Sequence, residues 1–218
     1  MRIGIAALVL AYVLSQFYRA FLAVMTPVLK ADLGLSAADL ASASGWWFLA
    51  FAAMQVPIGT ALDRIGPRLT AGVLMAVGAA GAVLFAQATG ALQIKLAMAL
   101  IGVGCAPVLM ASYFIFARQF SPAVFGTFAG ITIGIGSLGN VASALPLSAA
   151  VEAFGWRETM LGLAAITGAV ALVILALVRD PPRLATARDG SLLDLLRIPA
   201  IWPILARLPD ISGLLSVD

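Results

Sequence analysis

Histidine is absent from the 218-residue chain, and cysteine occurs once, at Cys105. The first absence removes the commonest catalytic base and metal ligand. The second removes any internal disulfide and any cysteine-built zinc site. Charge is scarce too: 11% of residues are charged, against about 25% in an ordinary soluble domain. With 62% hydrophobic residues and a mean hydropathy of +1.07, too little polar surface remains to cover even one soluble domain. These shortages exclude a soluble globular protein, a disordered chain and a nucleic-acid binder. No catalytic constellation, cofactor motif or metal-ligand set is legible, so the expectation is a protein that is not an enzyme and needs no cofactor or metal.

What the sequence does have is long uncharged runs. Crossing the hydrocarbon core takes about 20 mostly apolar residues as a helix. The gaps between charges supply them: 23 residues between Asp39 and Asp63, 26 between Arg68 and Lys95, 22 between Lys95 and Arg118, 33 between Arg118 and Glu152, and 20 between Glu158 and Arg179. A first run, interrupted only by Arg19, precedes them. The expectation is an all-α multi-pass membrane domain over residues 1–180, with spans at about 3–29, 40–62, 69–94, 96–117, 126–150 and 159–178. Basic residues set the orientation. Arg2, Arg64, Arg68, Arg118, Arg179, Arg183, Arg188 and Arg197 fall on one side, Lys30, Lys95 and Arg157 on the other. Both termini are therefore expected in the cytoplasm, in an inner or plasma membrane. Residues 181–218 read as a cytoplasmic linker with a short amphipathic stretch and the incomplete start of a seventh helix.

The stretch from Pro57 to Arg68 recurs in outline 89 residues later, from Pro146 to Arg157. Matching positions include proline, an alanine (Ala61, Ala150), an acid (Asp63, Glu152), a glycine (Gly66, Gly155) and an arginine. The copies end the second and fifth spans, so they face opposite sides of the membrane. A 3+3 inverted repeat of this kind is the architecture of secondary transporters, with a solute site between the repeats. The same residues carry a family resemblance. Gly59-x-x-x-Asp63-Arg64-x-Gly66-x-Arg68 resembles the signature loop of the major facilitator superfamily. Phe154-Gly155-Trp156-Arg157, Arg179-Asp180-Pro181 and Asp32-Leu-Gly-Leu-Ser36 also resemble that family. The resemblance implies a twelve-helix transporter in two six-helix halves working by alternating access. This chain would then be a truncated first half, completed by a missing C-terminal half or by a second copy of itself. It also implies that Asp63 pairs with Arg118 and that Gly59, Asp63, Arg64, Gly66, Arg68 and Arg118 form a gating element.

Polarity sorts the spans further. Tyr12, Ser15, Gln16 and Arg19 follow the i, i+3, i+4, i+7 spacing of one helix face. Tyr113 in span four and Asn140 in span five add polar groups, and these six are the candidate solute-binding residues. Arg19 is the sharpest. A charged side chain at the bilayer centre costs about 2.5–3.5 kcal/mol, so it faces a wet cavity or a partner. None of the predicted spans contains an acid. The guanidinium therefore reads as the holder of a small organic or inorganic anion through forked hydrogen bonds; the alternative is that it snorkels to the headgroups. An arginine in the first helix is also similar to that of organic-anion and organophosphate members of the superfamily. Spans three and six, nearly free of polar groups, suit lipid contact. Gly134-x-Gly136-x-x-Gly139 fits a dinucleotide fingerprint, but it lies inside a membrane run. Gly126, Gly130 and Gly134 there read as close helix packing. The expected function is secondary transport of a small anion. The alternative is a non-transporting membrane assembly or regulatory protein, or an inactive fragment.

Overall fold

A computed structural model describes residues 2–181, and every secondary-structure element in that range is helical. The eight helices are α1 (Arg2–Leu33), α2 (Ala37–Arg64), α3 (Pro67–Ala86), α4 (Ala91–Cys105), α5 (Pro107–Gln119), α6 (Pro122–Ala142), α7 (Leu145–Phe154) and α8 (Trp156–Leu177). They make six stretches long and apolar enough to cross a membrane, with α4–α5 and α6–α7 each forming one broken span. The linker and seventh-helix start assigned to 181–218 lie outside the described residues, apart from Pro181.

Local chemistry explains the breaks. Ser36 caps α2: its hydroxyl accepts from the Asp39 backbone N–H at 3.1 Å, and Asp39 accepts in return from the Ser36 backbone N–H at 3.3 Å, the reciprocal capping box. Pro67, Pro107, Pro122 and Pro146 stand in the first turns of α3, α5, α6 and α7, where the missing N–H costs nothing. Gly66 (φ 105°, ψ 160°) and Gly155 (φ 83°, ψ 158°) start α3 and α8, in a backbone region open essentially to glycine alone.

One predicted boundary moves. Span three ends at Ala86 and span four begins at Ala91, so Gln87–Gly90, and not Lys95, separate them. Charge marked the wrong place because Lys95 sits inside α4 with its ammonium neutralised by Asp39 at 2.9 Å. A paired lysine is tolerated within a helix end where an unpaired one would not be.

α1 runs through the packed centre, with Leu8, Phe21, Met25 and Leu29 fully buried and the Tyr18 hydroxyl 2.8 Å from the Thr167 hydroxyl of α8. Spans three and six were expected to suit lipid contact. They pack on each other, with α3 also against α4, and present Leu69, Val73, Leu172 and Leu177 outward. Small residues permit the approach: a Cβ on Gly72 would meet Leu175, and one on Gly78 would lie 3.2 Å from the Gly104 Cα of α4. Spans two and five are the least buried of the six. The Gly126, Gly130 and Gly134 face was expected to pack closely, yet nothing lies within 4 Å of a Cβ built on any of them. Close contact with α1 belongs to Gly136, against Tyr12, and Gly139, against the Val13 carbonyl. The four-residue spacing named the wrong stripe, since Gly136 and Gly139 occupy a different side of the helix.

Candidate functional site: a polar stripe on α1 and the charged turns

Along α1 the expected polar residues separate. Tyr12 is buried against Gly136 and its hydroxyl accepts from Gln16 Nε2 at 3.0 Å. Arg19 is exposed, with its guanidinium 5.7 Å from the ring centre of Phe48 in α2. Ser15 does not share their surroundings. It is buried, and its hydroxyl points to the Cys105 carbonyl at 3.5 Å, at the break between α4 and α5. Consecutive helical residues stand about 100° apart, which sends Ser15 inward while Gln16 stays half-exposed. A hydroxyl near a proline break is a usual way to re-satisfy freed backbone groups in a membrane helix. Tyr113 is half-buried, edge-on to Phe125 at 5.7 Å. Asn140 has an exposed side chain on α6. Tyr12, Gln16 and Arg19 thus share one stripe, and Ser15 turns inward to the α4–α5 break.

Beyond Arg19 the stripe continues into a cleft of about 440 Å³ between α1 and α2. Arg19, Thr26 and Lys30 line it from α1, Leu40 and Ser44 from α2. No acid lines it. Among the described residues, Arg19 makes no ion pair and has only the Phe48 ring as a charge-accepting neighbour. Thr26 and Lys30 went unnoticed in the sequence, although they extend the Arg19 spacing by i+7 and i+11.

The two turns carry the remaining charges. At the end of the bundle where the chain begins, Arg118 lies 3.4 Å from Asp63 and 4.1 Å from the Phe114 ring centre. Nearby, the Arg68 backbone N–H donates to Asp180 at 2.8 Å, and its Nε to the Leu175 carbonyl at 2.5 Å. Asp180 therefore caps α3, where its charge suits the helix dipole. At the opposite end, Arg157 donates to the Ala86 and Ala88 carbonyls at 2.9 and 3.0 Å and faces Asp32 at 3.6 Å. The Trp156 indole also donates to Asp32, at 2.9 Å. Gly59 is half-buried in α2 with room for a Cβ, and Arg64 is exposed at the end of that helix.

Six apolar spans, one of them carrying a polar stripe and an arginine with no ion pair among the described residues, define a multi-pass membrane protein with a solute-sized cleft. The sequence profile of the Major Facilitator Superfamily matches residues 8–215. The chain belongs to that family of transporters. It is 25% identical over 173 residues to the probable sulfoacetate transporter SauU of Cupriavidus necator, covering 79% of this chain and 40% of that protein. It is 27% identical over 154 residues to the uncharacterized transporter YybO of Bacillus subtilis, covering 71% and 35%. The chain thus spans less than half the length of these relatives. A crystal structure of a bacterial homolog to the human lysosomal transporter Spinster, inward-facing and occupied, superposes with a TM-score of 0.64 at 20% identity. The match covers 82% of this chain and 44% of that one, and supports the fold.

Proposed function

We propose that this chain forms one half of an alternating-access transporter for a small anion, with Arg19 as its principal anion-holding group. The observation that carries the reading is the Arg19 guanidinium, set in a cleft with hydroxyls and no acid. A guanidinium without an acid partner offers forked donors that match carboxylate, sulfonate or phosphate oxygens. The similarity to a probable sulfoacetate transporter supports the same class of solute, because sulfoacetate carries a carboxylate and a sulfonate. Tyr12 and Gln16 extend the polar wall towards Arg19, and Tyr113 and Asn140 contribute from spans four and five.

The Asp63–Arg118 pair is the gating element in this reading. It ties span two to span four at one end of the bundle, and breaking it would free that end to open. The two motif copies, at opposite ends, are the marks of an inverted 3+3 repeat. Alternating access needs a second body to rock against. The sparsely buried faces of spans two and five are its seat, filled by a C-terminal half or a second copy of the chain. Both termini then lie in the cytoplasm, on the arginine-rich side of a cell membrane.

The test is uptake of labelled sulfoacetate into vesicles carrying the chain together with whatever second half the DNA beyond the codon for Asp218 encodes, or the chain alone if none is encoded. Uptake should collapse in Arg19→Ala and fall most of the way in Arg19→Lys. Undiminished uptake by Arg19→Ala contradicts the reading.

A further inference from the structure

Lys30 shares the cleft with Arg19 and has no part in the function proposed above. We propose that Lys30 is a second anion-binding group, a stop at the cleft mouth that a small dianion occupies before it reaches Arg19. The inference rests on the anion reading of the cleft for its ligand class, though not on Arg19 itself.

Geometry separates the two stops. Eleven residues of helix put the Lys30 and Arg19 backbones about 16 Å apart along the axis. Both side chains lean towards the helix N-terminus, so their charged heads keep that spacing. One small solute therefore meets them in sequence. Thr26 lies one turn below Lys30 with its hydroxyl donating to the Leu22 carbonyl at 2.9 Å, which leaves Lys30 as the donor at this level.

Three acids at this end of the bundle are otherwise engaged. Asp32 is held by the Trp156 indole and faces Arg157. Asp39 is held by Lys95 at 2.9 Å and by the Ser36 hydroxyl at 2.7 Å. Glu152, on the α7 helix that packs against α1, accepts from Ser148 at 3.4 Å. Lys95 and Arg157 each face an acid, whereas among the described residues no ion pair engages Lys30 or Arg19 and no acid lines their cleft. An exposed, acid-free ammonium at a cleft mouth raises local anion concentration and speeds entry.

The chain offers an internal control, because Lys30 and Lys95 are its only lysines. The full chain in lipid nanodiscs is treated briefly with an amine-acylating ester, with and without sulfoacetate, and each lysine is read by peptide mass spectrometry. Sulfoacetate at twice its dissociation constant should slow acylation of Lys30 by about threefold, the factor 1 + [L]/Kd, and leave Lys95 unchanged. Protection of Lys30 should persist in Arg19→Gln, since the outer stop does not need the inner one. Equal acylation of Lys30 with and without sulfoacetate, in a chain that binds sulfoacetate by calorimetry, overturns the proposal. So does protection that vanishes in Arg19→Gln. Protection of Lys30 with calorimetric binding unaffected by Arg19→Gln sustains the outer stop and overturns the Arg19 reading. Absence of sulfoacetate binding by either readout overturns both.

Discussion

The two copies of the proline–glycine–arginine motif use the same backbone for different ends. Both glycines adopt a conformation open only to glycine, and both arginines reach the terminal carbonyls of the partner span: Arg68 reaches Leu175 at the end of span six, and Arg157 reaches Ala86 and Ala88 at the end of span three. Spans three and six are therefore tied at both ends by reciprocal arginine clamps. The acids differ. Asp63 crosses to Arg118 on another span, whereas among the described residues Glu152 bonds to Ser148 of its own helix. The clamps join spans three and six, and the acid of the first copy is the one the proposed gate would release.

The steepest contrast comes from the glycines. At Gly66 a Cβ would lie 2.8 Å from the Asp180 carboxylate, while at Gly155 it meets nothing within 4 Å. The backbone penalty is about 1–3 kcal/mol at either site, and displacing Asp180 adds about 1 kcal/mol of lost helix capping at the first. Gly66→Ala should lower the thermal unfolding midpoint in detergent more than Gly155→Ala. Equal shifts would break the distinction. Among the arginines the order reverses. Arg157→Ala removes two carbonyl contacts and the Asp32 pair, for about 1–2 kcal/mol after allowance for its partial exposure, and should exceed the loss from Arg68→Ala in the same assay. The acids should differ least in stability. Asp63 is exposed, and Asp63→Asn should cost under about 1 kcal/mol. Hydrogen exchange should nonetheless quicken at residues 63–68 and 118–121 in Asp63→Asn and stay unchanged there in Glu152→Gln. Identical exchange in the two variants would remove the gating role.

Much of this was legible beforehand for a simple reason. A membrane penalises charge so heavily that the gaps between charges mark the helices, and the six spans follow. Where charges are paired, that rule misleads, as Lys95 with Asp39 did at the third boundary. The breaks within spans four and five were written in Pro107 and Pro146, but an uncharged run gives no reason to stop there. Helical spacing grouped Ser15 with Arg19 because a face about 100° wide admits both. Only the position of α4 decides that Ser15 turns inward. The same spacing would have carried the stripe on to Thr26 and Lys30, had it been followed past the arginine. Packing by Gly136 and Gly139, in place of the Gly126 series, depends on which side of α6 meets α1, and no local pattern encodes that.

The central claim is that Arg19 holds an anion, and calorimetric titration of sulfoacetate into the chain in lipid nanodiscs tests it most directly. The account predicts saturable binding that weakens at least about tenfold, equivalent to 1.4 kcal/mol, in Arg19→Ala, with Arg19→Lys in between. Binding by Arg19→Ala as tight as by the unaltered chain would contradict it.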